Sequence, residues 1–475
     1  MSKKEKHHNT AKTWAMMPVE FAGHIFYSAR QAIRTHATGG NILIWATLAA
    51  LIIANIPAIN GHYFAFWDYE MRVQIGDFNI FNHGDRAMTV LEFINDTLMA
   101  IFFFSIGLEI KREILVGELS SFRKALLPIV AAIGGMIAPV AVFYYLGQGS
   151  DYLGGAAIPM ATDIAFSLGV LAMLGRRVPL SLKIFLTTLA VVDDIGGIIV
   201  IATCYATHIE PLYLLYAAAG LVLLLCGSAM AIKSKTFYLA IGGVVWYLFL
   251  HSGIHATIAG VLVAFCVPAT PVFASKKYIK SIRSAIAHFP IENDEALSRR
   301  NILSREQMDW IKEIQSASTK VISPLQDLED TLHPIVNYYI LPLFAFANAG
   351  IYLLDLDPVT AFEGISLAVI CGLVIGKFLG IFTFSWLAVK LKLAPMPALS
   401  NWKNMAGIAM LGGIGFTVSL FIANLTFGAG GEHAQYLLNH AKLGIVIGSL
   451  LSGILGFAYL HFTLPKGVAP DVADD

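Results

Sequence analysis

The feature that most constrains this chain is a series of apolar stretches, each long enough to cross a lipid bilayer. A transmembrane helix needs roughly 20 predominantly apolar residues. Only 13% of the 475 residues are charged and 57% are hydrophobic, whereas about a quarter of a soluble domain is charged. The sequence therefore predicts an all-α integral membrane protein with twelve transmembrane helices. The predicted spans cover residues 42–59, 88–112, 124–146, 155–174, 179–205, 212–232, 236–250, 252–267, 333–354, 364–389, 404–425 and 441–462.

Basic residues are concentrated in alternate connections between these spans. Because positive residues stay on the cytoplasmic side of a membrane, the alternation predicts that both termini are cytoplasmic. Arg72 and Arg86 are the exceptions, and they share the first loop with four acidic residues. The basic connections contain Lys111, Arg112, Arg123 and Lys124, then Arg176, Arg177 and Lys183, then Lys233 and Lys235, then Lys276, Lys277, Lys280 and Arg283, and finally Lys390, Lys392 and Lys403.

The chain divides into five predicted segments. They are a cytoplasmic N-terminal segment (1–40), spans one to eight (41–274), a polar cytoplasmic insert (275–323), spans nine to twelve (324–463) and a cytoplasmic tail (464–475). The first segment suits either an amphipathic helix on the membrane surface or a disordered tail. The insert is interpreted as a linker or regulatory segment. Its stretch 305–314 has Met308, Ile311 and Ile314 on one face, which predicts a surface helix there.

Smaller features restrict the remaining structure and partners. Residues 71–80 (MRVQIGDFNI) alternate apolar and polar around Gly76-Asp77, which predicts a small external β-hairpin. The four cysteines lie in apolar stretches without metal-ligand spacing, so neither a disulfide framework nor a metal cluster is predicted. A net charge of zero gives no sign of a nucleic-acid partner. No GxxxxGK[ST] motif for ATP is present, so an ion gradient must supply any energy for transport.

Four charged residues lie in the middle of predicted spans: Asp163, Asp193, Asp194 and Lys377. An ionisable group at the bilayer centre costs at least about 2.5–3.5 kcal/mol on insertion scales. These residues could simply pair to hold helices together, but buried pairs contribute little to stability because desolvation offsets their attraction. Three carboxylates and one lysine also leave an excess of negative charge. That excess favours a site for a mobile cation, either protons or a metal ion.

The spacing of these acids suggests a division of roles. Adjacent helical residues point about 100° apart, so Asp193 and Asp194 cannot both face one site in the same way. One is expected to face the ion, and the other to contact Lys377 or a neighbouring helix. Hard cations prefer oxygen ligands, which Asp163, Asp194, the Thr162 hydroxyl and free backbone carbonyls could supply.

Two spans contain residues that oppose a continuous helix. The fourth span has Gly154-Gly155 and Pro159 ahead of Thr162, and the eleventh has four glycines between residues 407 and 415. Interrupted spans at corresponding positions of two halves indicate a transporter site. Glycine in membrane helices also serves close packing, and this alternative stays open.

Several of these segments closely resemble one known family. They are residues 161–166 (ATDIAF), 192–194 (VDD), 343–350 (LFAFANAG), 376–377 (GK), 413–417 (GIGFT), 107–113 (GLEIKRE) and 255–257 (HAT). Together they resemble the NhaA family of bacterial Na⁺/H⁺ antiporters. The likeness runs from about residue 41 to 462 and covers all twelve predicted spans.

The resemblance implies a fold, an activity and an ion site. The fold would have inverted-topology repeats, with helices 4 and 11 interrupted and crossed, an architecture of which this family is itself an example. Cytoplasmic Na⁺ or Li⁺ would be exchanged for external H⁺ in an electrogenic process activated at alkaline pH, with no enzyme chemistry and no cofactor. Asp163 and Asp194 would bind the cation and protons, with Thr162 at the helix break. Asp193 would pair with Lys377.

The resemblance also implies a pH response, a location and an assembly. The residues matching the family's pH-responsive positions are Glu109, Arg112, Glu113, Glu329, His333 and His255. Without the resemblance, simpler interpretations would be preferred: basic anchoring at a helix end, local pairing of the two glutamates with Arg112, and a core histidine. The protein would lie in the bacterial inner membrane, as a homodimer through the 71–80 hairpin. Asp330 stands where the family often has histidine, and the insert is longer than expected.

Two rival functions have different consequences. A sodium-coupled symporter of an organic solute would also need a buried cation site, but it would not exchange Na⁺ for H⁺ without its solute. An intramembrane aspartyl protease would need two aspartates sharing a proton, and a lysine partner suits that chemistry poorly.

Overall fold

The structure is a computed structural model that describes residues 39–75, 78–79, 81–83, 86–205, 209–270, 275–287, 305–353, 362–428, 430–465 and 467. The residues for which a surface helix or a disordered tail was predicted near the N-terminus lie outside these ranges. Nearly all of the predicted C-terminal tail lies outside them as well. Within the described ranges, the regular secondary structure is helical apart from two short pairs of strands.

The helices follow the order of the predicted spans. The membrane helices and their neighbours are α1 Gly39–Ala54, α2 Asn60–Trp67, α3 Val90–Leu115, α4 Phe122–Leu146, α5 Ile164–Met173, α6 Leu180–Cys204, α7 Pro211–Ala229, α8 Lys235–Leu250, α9 Thr257–Cys266, α10 Ser275–Ala287, α11 Arg305–Val321, α12 Pro324–Ile335 continuing through Val336–Ile340 to Leu341–Asn348, α13 Gly364–Lys390, α14 Trp402–Leu411, α15 Phe416–Phe427 and α16 Glu432–Thr463. A 3₁₀ helix, Leu153–Met160, precedes α5.

The apolar length of these helices supports a multi-pass membrane protein. Among the described residues, six helices are long and apolar enough to cross a bilayer, and eight if each of two bent pairs is one span. The bent pairs are Leu153–Met160 with α5, at 41°, and α14 with α15, at 42°. These breaks occur in the fourth and eleventh predicted spans. The all-helical membrane class is therefore confirmed.

Local sequence explains how several helices begin. Thr89 and Glu92 form a capping box at the start of α3, in which each side chain binds the other's backbone N–H. Ser323 and Gln326 do the same for α12, with Pro324 at its first position. A proline there loses nothing, because the first N–H groups of a helix have no partner within the helix.

Three helices contain a π-helical turn, a feature frequent at functional sites. These turns cover Ile94–Leu98 in α3, Val336–Ile340 in α12 and Gly372–Gly376 in α13. The third ends immediately before Lys377. The extra residue in each turn changes the direction in which the following side chains project.

Helices α4 and α13 approach each other closely through glycine. A Cβ atom on Gly134 would collide with the backbone carbonyl of Gly380, and a Cβ on Gly380 would collide with that of Gly134. Small residues permit such backbone contact between membrane helices. This packing presses α13, which carries Lys377, against α4.

Strands pair in the first loop. β1 (Gln74–Ile75) is antiparallel to β2 (Phe78–Asn79), and β3 (Asn82–His83) is antiparallel to β4 (Arg86–Ala87). The first pair lies within the segment predicted as a hairpin, and its turn residues 76–77 lie outside the described ranges. Its external position and its role in a dimer stay predictions.

The insert contains two helices that pack on each other, α10 and α11. Helix α11 covers the whole stretch 305–314 for which a helix was predicted. Residues 288–304 between the two helices lie outside the described ranges.

Candidate cation site

The two broken helices meet at their breaks. The Asp163 N–H donates to the carbonyl of Ile414 at 2.6 Å, and the Thr162 hydroxyl donates to that of Gly412 at 2.9 Å. The Ser167 hydroxyl donates to the carbonyl of Leu411 at 3.2 Å. Carbonyls at the end of α14 have no helical partner because the helix stops there. Residues at and after the first break donate the hydrogen bonds that these carbonyls need, so the two interruptions stabilise each other.

Asp163 lies between the N-termini of two half-helices. Its Oδ1 accepts from the N–H of Phe166 at 3.0 Å and thereby caps α5. Its Oδ2 accepts from the backbone N–H of Thr417, near the start of α15, at 3.0 Å and from the Thr417 hydroxyl at 2.6 Å. Helix N-termini favour negative charge. This buried carboxylate is therefore held in a setting that tolerates its ionised form.

Lys377 is fully buried and joins two of the predicted site residues. Its Nζ donates to Asp193 Oδ2 at 2.5 Å and to the Thr162 hydroxyl at 2.9 Å. The other oxygen of Asp193, Oδ1, has no hydrogen-bond partner among the described residues. Thr162 thus donates to one group and accepts from another, which leaves it one lone pair for an ion.

Asp194 is the acid left without a basic partner. Its side chain makes no hydrogen bond or ion pair within the described ranges, and it faces a cavity of about 340 Å³. The adjacent residues of α6 therefore point apart: Asp193 meets Lys377, and Asp194 faces open space. This is the arrangement that the 100° helical spacing allowed.

The cavity brings carboxylate and hydroxyl oxygens together. Asp163, Asp194, Thr162 and Thr417 line one part of it, and the rest is lined mainly by apolar side chains. Two carboxylates and two hydroxyls are ligands for a hard cation. Among the residues that the structure describes, no group of three His, Cys, Asp or Glu side chains could hold a metal ion.

A second group of charges lies near one end of this cavity. Arg112 contacts Glu113 Oε1 at 3.1 Å and Glu329 Oε1 at 3.3 Å, which links α3 to α12. Glu109 and His333 line the cavity itself. Outside the predicted spans, burial raises the pKa of Glu329 to about 7, although the Arg112 charge opposes this shift.

The remaining predicted histidine is not part of this cluster. His255 lies in the connection between α8 and α9 and does not line the cavity. The structure therefore brings the other predicted pH-response residues to one cavity and its mouth, and places His255 elsewhere.

Sequence reasoning missed four polar residues. Thr417 holds Asp163, and three amides form a chain across α3, α12 and α15. Asn424 donates to Asn348 at 2.8 Å, and Asn348 donates to Asn95 at 2.9 Å. The available signal was a buried amide or hydroxyl inside an apolar run, which is costly unless hydrogen-bonded.

The chain is similar in sequence to known Na⁺/H⁺ antiporters. The sequence profile of the Na⁺/H⁺ antiporter 1 family matches residues 30–460. The Na(+)/H(+) antiporter NhaA of Phocaeicola vulgatus is 53% identical over 452 residues, 94% of this chain and 98% of the relative. The Na(+)/H(+) antiporter NhaA of Bacteroides thetaiotaomicron is 55% identical over 425 residues, 89% of this chain and 94% of the relative. The Na(+)/H(+) antiporter NhaA 2 of Helicobacter hepaticus is 42% identical over 434 residues, 90% of this chain and 94% of the relative.

Proposed function

We propose a site for the cation and the protons in this chain, which belongs to the Na⁺/H⁺ antiporter 1 family and exchanges Na⁺ for H⁺ across a membrane. Asp163 and Asp194 form this shared site. One observation carries the proposal: both carboxylates line one cavity, while Lys377, the lysine that lies beside it, is paired with Asp193. Within this part of the described chain the two acids lack a matching positive charge. A mobile cation supplies it.

The exchange follows from competition at these acids. When both carboxylates are protonated the site is neutral and does not attract Na⁺. When they ionise, Na⁺ or Li⁺ binds between them, with the Thr162 and Thr417 hydroxyls and freed carbonyls within the same pocket. External protons then displace the ion. Neither Asp193 nor Lys377 needs to change charge during this cycle.

The presence of two carboxylates at the site supports an electrogenic exchange. If two protons enter for each Na⁺ that leaves, one net positive charge moves inward per cycle. A membrane potential then contributes about 2.3 kcal/mol per 100 mV for that charge. An imposed inside-negative potential should therefore accelerate Na⁺ efflux.

The proposed architecture is twelve spans with inverted repeats and crossed helices 4 and 11. The six long helices and two bent pairs account for eight spans. The shorter apolar helices α1, α8 and α9, with the part of the continuous helix α12 from residue 333 onward, supply the other four. The hydrogen bonds between the two breaks support the crossing.

The proposed topology makes the present state inward-facing. The basic connections place the mouth near Glu109 and His333 on the cytoplasmic side, with both termini on that side of the bacterial inner membrane. The amides of Asn95, Asn348 and Asn424 then lie toward the external ends of their helices and hold them together. Rocking of the helix groups would break this chain and open the site outward. The 71–80 hairpin would join two such protomers.

The charged group at the mouth is proposed as the pH-responsive element. Arg112 pairs with Glu113 on its own helix and with Glu329 on α12, and Glu109 and His333 line the cavity beside them. As cytoplasmic pH rises through about 7, Glu329 ionises and gives Arg112 a second anionic partner. The tightened contact between the two helices would favour exchange at alkaline pH. A contribution from His255 rests on the family resemblance.

Reconstituted vesicles provide the test. A pH gradient should be dissipated by Na⁺ and Li⁺ and far less by the larger K⁺, without any organic solute. Asp163→Asn and Asp194→Asn should each abolish this exchange. Asp96→Asn, which changes a partly buried acid outside the cavity lining, is the matched control and should retain it. Unchanged exchange in either site variant would show that the site is assigned wrongly.

A further inference from the structure

The insert presents an exposed face that the exchange mechanism does not use. Helices α10 and α11 pack together through small buried side chains, including Ala285, which has no exposed area, and Ala317, which is 4% exposed. About 100–120° around α10 from Ala285, Ile279 is 48% exposed and Ile286 is 61% exposed. The two-helix unit thus exposes two large apolar side chains among polar ones.

Charge is distributed unequally between the two helices. Helix α10 contains Lys276, Lys277, Lys280 and Arg283 and no acidic residue. Helix α11 has three basic residues and three acidic residues, Glu306, Asp309 and Glu313, so its net charge is zero. The two-helix unit therefore has one cationic side and one neutral side.

The exposed isoleucines and the basic residues share one face of α10. Ile279, Arg283 and Ile286 are spaced by four and three residues, so they lie along one line on the helix surface. Arg283 is itself exposed, and Lys280 lies beside this line and is exposed. A helix with apolar residues flanked by lysine and arginine is typical of attachment to the surface of a membrane.

The ends of the insert are held at the membrane domain. The N–H of Leu325, in the first turn of α12, donates to the carbonyl of Pro268 just after α9 at 3.3 Å. The insert therefore leaves and rejoins the membrane domain at one place. Under the proposed topology that place is the cytoplasmic surface, where anionic headgroups are within reach.

We propose that α10 lies on the cytoplasmic leaflet and binds anionic phospholipid headgroups, with Ile279 and Ile286 inserted at the boundary with the acyl chains. The inference rests on the cytoplasmic location of the insert in the proposed function. The charge asymmetry favours lipid over a second copy of the chain, because α10 carries only positive charge and would repel its own copy. Helix α11, with its acidic residues, faces the cytoplasm.

Quenching of a fluorescent label tests this proposal in the full-length protein. The four native cysteines are replaced by alanine, and Ile286→Cys carries an environment-sensitive label. The protein is placed in nanodiscs of phosphatidylcholine alone or with phosphatidylglycerol, and the neutral quencher acrylamide is added. The label should be protected only with phosphatidylglycerol, and choline chloride at about 1 M, where the screening length is near 3 Å, should remove the protection. A label at Lys312→Cys on α11 should stay equally accessible in both lipids.

Charge removal provides the second arm. Each basic residue near an anionic surface contributes about 1 kcal/mol, so Lys280→Gln with Arg283→Gln should weaken the surface-bound state about thirtyfold. Arg305→Gln with Lys312→Gln removes the same charge from exposed positions of α11 and should leave protection of residue 286 unchanged.

Three results would overturn the proposal. The label could be accessible in both lipids, it could be equally protected in both, which would indicate a protein contact, or the α11 variant could lose protection as the α10 variant does. Exchange by the Asp163→Asn and Asp194→Asn variants is measured separately in vesicles. Unchanged exchange in those variants with lipid protection intact would refute the proposed site while leaving this inference standing, and loss of exchange without lipid protection would do the opposite.

Discussion

Replacing Lys377 by methionine tests whether its ion pair with Asp193 supports the fold or carries the transported charge. Both side chains are fully buried, with Nζ 2.5 Å from Oδ2. Methionine retains an unbranched side chain and removes the charge. If the pair is a fixed structural element beside the site, neutralising both partners together should be tolerated better than neutralising one.

The structure sets the expected magnitude. Removing one partner of a buried ion pair costs about 3–5 kcal/mol, because the other charge stays buried without compensation. Lys377→Met should reach the upper part of that range. Asp193 Oδ1 already lacks a partner among the described residues, and Oδ2 would lose its lysine. The Thr162 hydroxyl would also lose a donor, at about 1 kcal/mol. The double variant Asp193→Asn with Lys377→Met leaves neither partner of the pair charged, so its cost should be about 1–2 kcal/mol, since neutral replacement of a whole pair is often nearly neutral.

Thermal unfolding in detergent, followed by tryptophan fluorescence, ranks the three variants. The double variant should melt closer to the unmodified protein than Lys377→Met does, and this non-additivity is the signature of direct coupling. In vesicles it should retain Na⁺/H⁺ exchange, because Asp163 and Asp194 are intact. A double variant as unstable as Lys377→Met would refute the reasoning about the pair. A stable double variant without exchange would show that the pair takes part in transport.

Three further predictions concern single residues. Thr417→Val removes the hydroxyl that donates to ionised Asp163 at 2.6 Å; such bonds contribute about 1.5–3 kcal/mol, so the apparent Na⁺ affinity in vesicles should fall at least about tenfold. Burial raises the pKa of Glu329 from 4.5 to about 7. The folded protein then holds a proton that the unfolded chain releases, and stability falls as pH rises between these values. Glu329→Gln should remove that slope in melting temperature and flatten the pH profile of exchange. Asn348 is fully buried, and Asn348→Ala removes the middle amide of the asparagine chain. This variant should lower stability by about 1–3 kcal/mol, measured by thermal unfolding.

Each of these changes has a control. Thr417→Ser keeps the hydroxyl and should keep Na⁺ affinity near normal. Glu432→Gln, at an exposed position at the start of α16, should leave the pH slope unchanged. Asn337→Ala, which removes an amide beside His333, should cost less stability than Asn348→Ala. The opposite ranking in any pair would contradict the role given to the first residue.

Much of the class and part of the site could be predicted before the structure. Mid-span Asp163 and Asp194 stood out because a charge in lipid is costly, and glycine and proline marked the interruptions now found at 41° and 42° bends. Thr417 did not stand out, because a hydroxyl in an apolar run carries no such cost when it bonds within its own helix. Only its position beside the other break makes it a partner of Asp163.

The sequence by itself determined that this protein lies in a lipid bilayer, that it is helical and which family it belongs to. These properties depend on the length of apolar runs, on charge and on contiguous motifs. Helical spacing left open which of Asp193 and Asp194 meets Lys377, and only the resemblance favoured Asp193. Tertiary structure alone decided that Thr162 is shared between that lysine and Gly412, and that three asparagines join into one chain. The physical reason is that these contacts join residues 76 to 253 positions apart. Helical periodicity specifies which side chains share a face, and only the packing of helices specifies what each face meets.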